Sequence, residues 1–232
     1  MMQQDGDSDR INIAIDGPAG AGKSTVARKV AEQLGYIYID TGAMYRAVTL
    51  SALKASIEPQ DSKALAALAT SLDIELLPGD KGQTVLLNGE DVTDSIRSRE
   101  VTLIVSLIAA NETVREVLGA MQRKLAARKG VVMDGRDIGS HVLPNAELKV
   151  FLTATVEERA SRRFKEISGK QDVTLEQLAQ EIADRDRLDE QREIAPLICA
   201  PDALVMDSTT MMIEEVVGAI VKLSRTKLAE AK

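Results

Sequence analysis

The 232-residue chain predicts an α/β fold: a five-stranded parallel sheet between helical layers, with a small antiparallel β insertion and a helical lid. Three observations point there. The apolar run Ile11-Asn12-Ile13-Ala14-Ile15 passes through the Gly-rich stretch Asp16–Thr25, DGPAGAGKST, into a helical pattern. Short apolar runs then recur, each ending in a polar turn followed by helical spacing, which is the rhythm of βαβ units. Between Asp73 and Thr93 the period changes to alternation, which breaks that rhythm once.

Gly17 and Gly22 bracket four residues, and Lys23-Ser24 completes the phosphate-binding loop template of a P-loop NTPase. Such a loop aims several backbone N–H groups at one polyphosphate, and only small, φ-permissive residues let the backbone come that close. Gly17, Ala19, Gly20, Ala21 and Gly22 supply that freedom, and with Pro18, Lys23, Ser24 and Thr25 they form a nucleoside triphosphate site. Lys23 is placed to reach the β- and γ-phosphates and Ser24 to offer its hydroxyl to Mg²⁺, while the following helix turns its positive end on the anion. Val26, Val30 and Leu34 repeat at helical spacing behind the loop, and Gly35 closes that helix.

Composition narrows the function classes. An apolar content of 44% supports a core, but two Phe, three Tyr and no Trp make it aliphatic and leave few base-stacking platforms. A net charge of −7 argues against a nucleic-acid partner. One cysteine, Cys199, and one histidine, His141, leave no internal disulfide and no His-rich metal site. The head, residues 1–10, is polar without an apolar signal core, and no stretch has membrane-spanning length. The expectation is a disordered head on a cytoplasmic protein without a membrane partner.

In chain order, Tyr36–Ile39 reads as a second strand ending at Asp40-Thr41-Gly42, a turn able to cap the next helix. Ligands bind at the carboxyl ends of parallel strands, so Thr41, Tyr45 and Arg46 fall near the phosphate loop; an ordinary helix face is the other reading. A helix over Lys63–Ser71 precedes a strand over Asp73–Leu77 and a turn at residues 78–82. Thr84–Leu87 and Glu90–Thr93 then flank Asn88-Gly89, a hairpin signal. From Asp94 to Lys129 two helices follow, separated at Asn111. Ser106 sits among apolar neighbours, and Arg115 lies in a first turn, where a cation opposes the helix dipole.

Gly130–Asp134 is the third strand; its terminal Asp134 is the candidate acidic partner of Mg²⁺, and Arg136 and Asp137 stand just beyond it on the ligand edge. After a fourth strand, Leu148–Leu152, a helix carries Arg159, Arg162, Arg163 and Lys165, residues 169–172 break it, and Thr174–Glu193 resumes with Arg185, Asp186, Arg187, Asp189 and Arg192. The pair forms either a lid that delivers positive charge to a transferring phosphoryl group or a solvated hairpin laced by i,i+4 pairs. A fifth strand, Ala203–Met206, and a last helix from Ser208 complete the chain.

These residues together resemble the bacterial cytidylate kinases, a nucleoside monophosphate kinase family. The likeness runs from Ile11 to Leu228 and is carried by IDGPAGAGKST, IDTGAMYR, GEDVTDSIR, DGRDIG, EERASRR, RDRLDEQR with IAPL, and LVMDST. The resemblance implies a monomer that uses ATP and Mg²⁺ on CMP or dCMP. It implies one domain over residues 11–232: a core of 11–58, 111–155 and 194–232, a monophosphate-binding region of 59–110 and a lid of 156–193. By the same likeness Ser106, Arg115 and Asp137 read cytosine, Arg185 and Asp189 surround sugar and phosphate, and Arg136 and Arg192 grip the acceptor phosphate. Lys23, Arg136, Arg159, Arg163 and Arg185 are then the candidate catalytic cations. Thr41 stands where the family often has serine, and Leu188 where some members carry another lid arginine.

A GTPase switch would carry Asn-Lys-x-Asp and Asp-x-x-Gly motifs, and neither occurs. A nucleotide-dependent regulatory protein and another small-molecule kinase stay open as alternatives at this level.

Overall fold

A strand with two apolar faces needs cover on both sides, and Ile13-Ala14-Ile15 imposes that requirement on the first strand. The computed structural model describes residues 10–79, 82–167 and 173–230, and it places this strand at the middle of the main sheet. β1 (Ile13–Asp16) leads to α1 (Lys23–Leu34), β2 (Ile37–Asp40), α2 (Thr41–Lys54) and α3 (Ser62–Ser71). The insertion follows as β3 (Ile74–Gly79), β4 (Gly82–Leu87) and β5 (Glu90–Asp91), then α4 (Arg99–Ala109) and α5 (Glu112–Ala126). β6 (Val131–Gly135), β7 (Leu148–Thr153), α6 (Val156–Ile167), α7 (Leu175–Gln191), β8 (Leu204–Asp207) and α8 (Ile213–Glu230) complete the order.

The main sheet is parallel in the order β2-β6-β1-β7-β8, with Ile13 opposite both Val132 and Leu148. Ile13 and Ile15 pack with Val26 and Val30 of α1 and Val217 and Ile220 of α8 on one face; Ala14, Ile39 and Met133 join Ile138 and Val142 on the other. A separate cluster holds α2 to α5 around Met44, Leu65, Ile108 and Leu118, with Val85 and Leu87 reaching in from the insertion. The lid has its own small core of Ala160, Ile167, Leu178 and Ile182. Every strand of the main sheet therefore delivers its carboxyl end to one edge, where Asp16, Asp40, Asp134 and Asp207 lie.

The insertion pairs β3-β4-β5 antiparallel, and its tight turn is the expected one: Asn88 and Gly89 both take positive φ, 51° and 82°. Gln83 ties this sheet to the main one. Its side-chain oxygen accepts from the Asp40 N–H at 3.0 Å and its amide donates to the Tyr38 carbonyl at 2.7 Å, so one side chain satisfies two backbone groups on the open edge of β2.

The structure redraws several boundaries. β3 runs through Pro78 and Gly79, expected in a turn, because proline is tolerated on an edge strand. β5 stops at Asp91, whose carboxylate accepts from the Thr93 N–H and hydroxyl at 2.9 and 2.6 Å. A 3₁₀ turn, Ser95–Arg97, precedes α4, which Ser98 caps. The last helix starts at Ile213, not Ser208. Ser208 extends the β8 edge by donating its N–H and hydroxyl to the Thr153 carbonyl, and Glu215 reaches back to the Met212 N–H to start the helix. The expectations for the head up to residue 9, for residues 80–81 and for the break at 169–172 lie outside the described residues.

Replacing Gln83 with Ala removes both bonds to β2. A loss of about 1–2 kcal/mol in chemical denaturation is expected, without loss of the main sheet by circular dichroism.

Candidate active site

The loop between β1 and α1 comes so close to β7 that a Cβ on Gly17 would lie 1.9 Å from the Leu152 carbonyl oxygen; with φ of 147°, only glycine serves there. Gly22, at φ 89°, opens α1, whose first-turn N–H groups have no partner within the helix and face the loop's hollow. Lys23 is buried and donates to the Pro18 carbonyl at 2.6 Å, folding its amine back across the loop. Burial and the nearby Arg136 and Arg185 hold its pKa well below the ordinary lysine value. Ser24 donates to Asp134 Oδ2 at 2.8 Å, and Tyr38 donates to Oδ1 at 3.0 Å. Burial, with Asp40 nearby, pushes the Asp134 carboxyl up to about 7. Thr41 donates to the Asp134 carbonyl at 2.6 Å, which locks the start of α2 to the end of β6.

Opposite the loop stand arginines from three other elements. Arg46 of α2 donates to Thr102 Oγ1 at 2.8 Å and to the Ile96 carbonyl at 3.2 Å, and burial together with Arg185 lowers its pKa to about 9. Arg185 of α7 is lowered to about 10 by burial and Arg136, and its Nε has no hydrogen-bond partner among the described residues. Arg136, just past β6, donates to Asp189 Oδ2 at 2.9 Å. Cations that depress one another's proton affinity leave positive charge uncompensated, and an anion relieves it.

Deeper in, Asp189 also accepts from Ser106 at 2.8 Å; burial opposes its ionisation, but Arg136 and Arg185 outweigh burial and hold its pKa low. Asp137 joins Arg115 on one oxygen and Arg192 on the other. Arg115 lies over the Tyr45 ring, 5.5 Å from its centroid, donates to the Ala109 carbonyl at 3.1 Å, and its Nε has no partner among the described residues. Its awkward place in the first turn of α5 is explained by that carboxylate. Thus Tyr45, Ser106, Arg115, Asp137, Asp189 and Arg192 form one buried polar network beside the cationic cluster.

Two predicted catalytic cations are placed differently. Arg159 turns its guanidinium on the protein, toward Ala154, Ala19 and Asp186, and Arg163 pairs with Glu166 at 3.0 Å on the rim. Residues that sequence reasoning passed over also act here. Arg162 donates to the Ser208 carbonyl at 2.6 Å beside Gly22, Asp186 accepts from the Ala19 N–H, and Asp16 accepts from Ile138 and Gly139 at 2.8 and 2.7 Å. Burial raises the Asp16 carboxyl to about 6.

The loop at the head of a central parallel strand, facing cations across the sheet's carboxyl edge, defines a kinase of the P-loop NTPase class. A family model described as cytidylate kinase matches residues 13–226. A cytidylate kinase from Caldicellulosiruptor bescii is 57% identical over 92% of this chain and 95% of its own length, and one from Geobacillus kaustophilus is 56% identical over 94% and 98%. The chain belongs to the cytidylate kinase family and is an ATP-dependent kinase. A solved structure of an uncharacterized protein from Eubacterium ventriosum shares the fold, with a TM-score of 0.51 at 12% identity over 94% of this chain and 99% of that one.

The Asp137 pairs carry a stability consequence, since the side chains of Asp137, Arg115 and Arg192 are only 3–5% exposed. Asp137→Ala strands two buried guanidinium groups and is expected to cost about 3 kcal/mol in urea denaturation, whereas Asp137→Asn keeps an acceptor and costs less.

Proposed function

We propose that the chain transfers the γ-phosphoryl group of ATP to CMP or dCMP with the following division of labour. The triphosphate lies along residues 17–25, under the free N–H groups of α1, with Lys23 on the β- and γ-phosphates. Arg46, Arg136 and Arg185 face it and hold the acceptor phosphate and the equatorial oxygens of the transferring group, and Arg163 on the lid rim adds charge from outside. The observation that supports this most is the gathering of Lys23, Arg136 and Arg185 at one place, where burial and the neighbouring guanidinium of Arg136 lower the proton affinity of Lys23 and Arg185. The acceptor is a phosphate oxygen already largely ionised, so no strong base is required. Positioning and charge carry the rate.

The donor set suits Mg²⁺: Ser24 and Asp134 present a hydroxyl and a carboxylate 2.8 Å apart beside the loop, and Asp134 is a carboxylate whose ionised form lacks a close cation of its own apart from Lys23. Magnesium takes oxygen ligands, keeps several waters and leans on substrate phosphates, so two protein oxygens suffice. When bound it would supply positive charge that offsets the charge on the phosphates.

Selectivity rests on the buried polar network. Asp137 accepts from the exocyclic amine of cytosine, and the unpartnered Arg115 Nε supplies a donor for a ring acceptor; uracil presents an acceptor to Asp137 and is repelled. Ser106 joins Asp137 and Arg115 in reading cytosine, Asp189 lies beside the sugar, Arg192 adds to the grip on the acceptor phosphate, and Tyr45 packs against Arg115. In this reading core, monophosphate-binding region and lid act as one monomeric unit in the cytoplasm. Among the described residues no helix is long and apolar enough to cross a membrane.

A coupled assay of ADP release with CMP, dCMP, UMP and AMP tests the proposal. CMP and dCMP are expected to be used and AMP not; activity confined to AMP, or none dependent on a monophosphate, overturns it. Lys23→Ala is expected to lower kcat by roughly three orders of magnitude with unchanged circular dichroism. Asp137→Asn should cut kcat/KM for CMP by about two orders of magnitude while ATP affinity holds.

A further inference from the structure

The phosphate loop is gripped from the lid at its crest. Ala19 donates its N–H to Asp186 Oδ1 at 3.0 Å, and its carbonyl accepts from Arg159 Nη1 at 2.9 Å. The same guanidinium pairs with Asp186 Oδ2 and anchors itself through Nε on the Ala154 carbonyl at 2.9 Å. Both backbone polar groups of one loop residue are therefore taken by an ion pair formed between α6 and α7. Both side chains are buried, and a Cβ on Gly20 would stand 3.2 Å from Arg159 Cβ, so glycine leaves room for α6 to come down on the loop.

The grip fixes α7 at the end where it matters. Arg185, Asp186 and Asp189 lie in about the last two turns of α7, and Arg192 is the residue just after it. Asp186 meets the loop, Asp189 meets Ser106 and Arg136, and Arg192 meets Asp137. Asp186 thus ties to the loop the same turn of α7 that carries its neighbour Arg185, which lies near Lys23. We infer that Asp186, acting through Arg159 and Ala19, is a positioning residue of the kinase: it joins lid to loop so that Arg185 arrives at the phosphates in register. This rests on the proposed function, because it assigns Arg185 a phosphate to meet. Neither Asp186 nor Arg159 touches substrate in this arrangement.

A second lid contact supplies the control. Arg99 of α4 and Glu181 of α7 also form a pair, but it is exposed and does not involve the loop. Pairs of that kind contribute little.

The test uses the full chain with Asp186→Ala, Asp186→Asn, the double variant Arg159→Met/Asp186→Leu, which removes both charges while filling the space, and Glu181→Ala. In the alanine and double variants kcat with CMP is expected to fall about a hundredfold. Hydrogen exchange at residues 17–22 should rise while exchange in β1, β6 and β7 stays slow. Asp186→Asn retains an acceptor for the Ala19 N–H and should recover part of both; Glu181→Ala should match the wild type. Wild-type kcat in the double variant, or unchanged exchange at the loop, overturns the inference. So does a loss of activity accompanied by faster exchange throughout the core strands. If the wild-type chain itself fails to phosphorylate CMP, the proposed function falls instead, which separates the two failures.

Discussion

Positive charge buried and gathered at one edge of the sheet is the constraint on which the rest of this molecule turns. Lys23, Arg46, Arg136 and Arg185 come from four different elements, and burial and mutual repulsion lower the proton affinity of Lys23, Arg46 and Arg185. The chain as a whole carries −7, so the concentration is local and opposes the global balance. Such a cluster survives only on a frame that over-determines it. Two apolar faces on β1, the aliphatic cluster around α2 to α5 and the close approach of Gly17 to β7 supply that frame. Charges held this way are preorganised, so an anion that meets them costs little reorganisation of the protein.

The aspartates near these cations orient them more than they neutralise them. Asp189 links α7 to α4 and to the end of β6, Asp137 links that same end to α5 and to the residue after α7, and Asp16 holds the turn after β6 through two backbone N–H groups. Each carboxylate spans elements distant in sequence. Removing one therefore disturbs several elements at once, and the network around Asp137 is a buried ionic joint between the lid and the rest of the chain.

What was legible in the sequence follows from how local the physics is. The phosphate loop and the Asn88-Gly89 turn demand particular residues at adjacent positions, so both stood out and both appear as read. Arg115 was readable as an anomaly, a cation in the wrong turn of a helix, and its explanation lies in Asp137. Gln83 was not readable, because an amide that caps the edge of a distant strand looks like any polar residue in a hairpin. Arg159 and Asp186 were hidden for another reason. In two helices crowded with charge, composition cannot tell which side chains face phosphate and which face the protein, and only packing of α6 on the Gly20 turn decides it. The start of α8 was missed because Ser208 resembles a cap, while its hydroxyl is committed to the Thr153 carbonyl.

The contrast between insertion and lid follows from the kinds of contact each makes. The insertion contributes Val85 and Leu87 to an apolar core and stitches its backbone to β2 through Gln83, so separating it exposes hydrocarbon and breaks buried hydrogen bonds together. The lid keeps its apolar residues for itself, in the cluster of Ala160, Ile167, Leu178 and Ile182, and meets the loop and the buried polar network largely through charged side chains. Such contacts are directional and depend on every partner staying paired, whereas apolar packing depends only on filling the space. The lid's position is thus held mainly by the charged side chains that join it to the loop and to the Asp137 network.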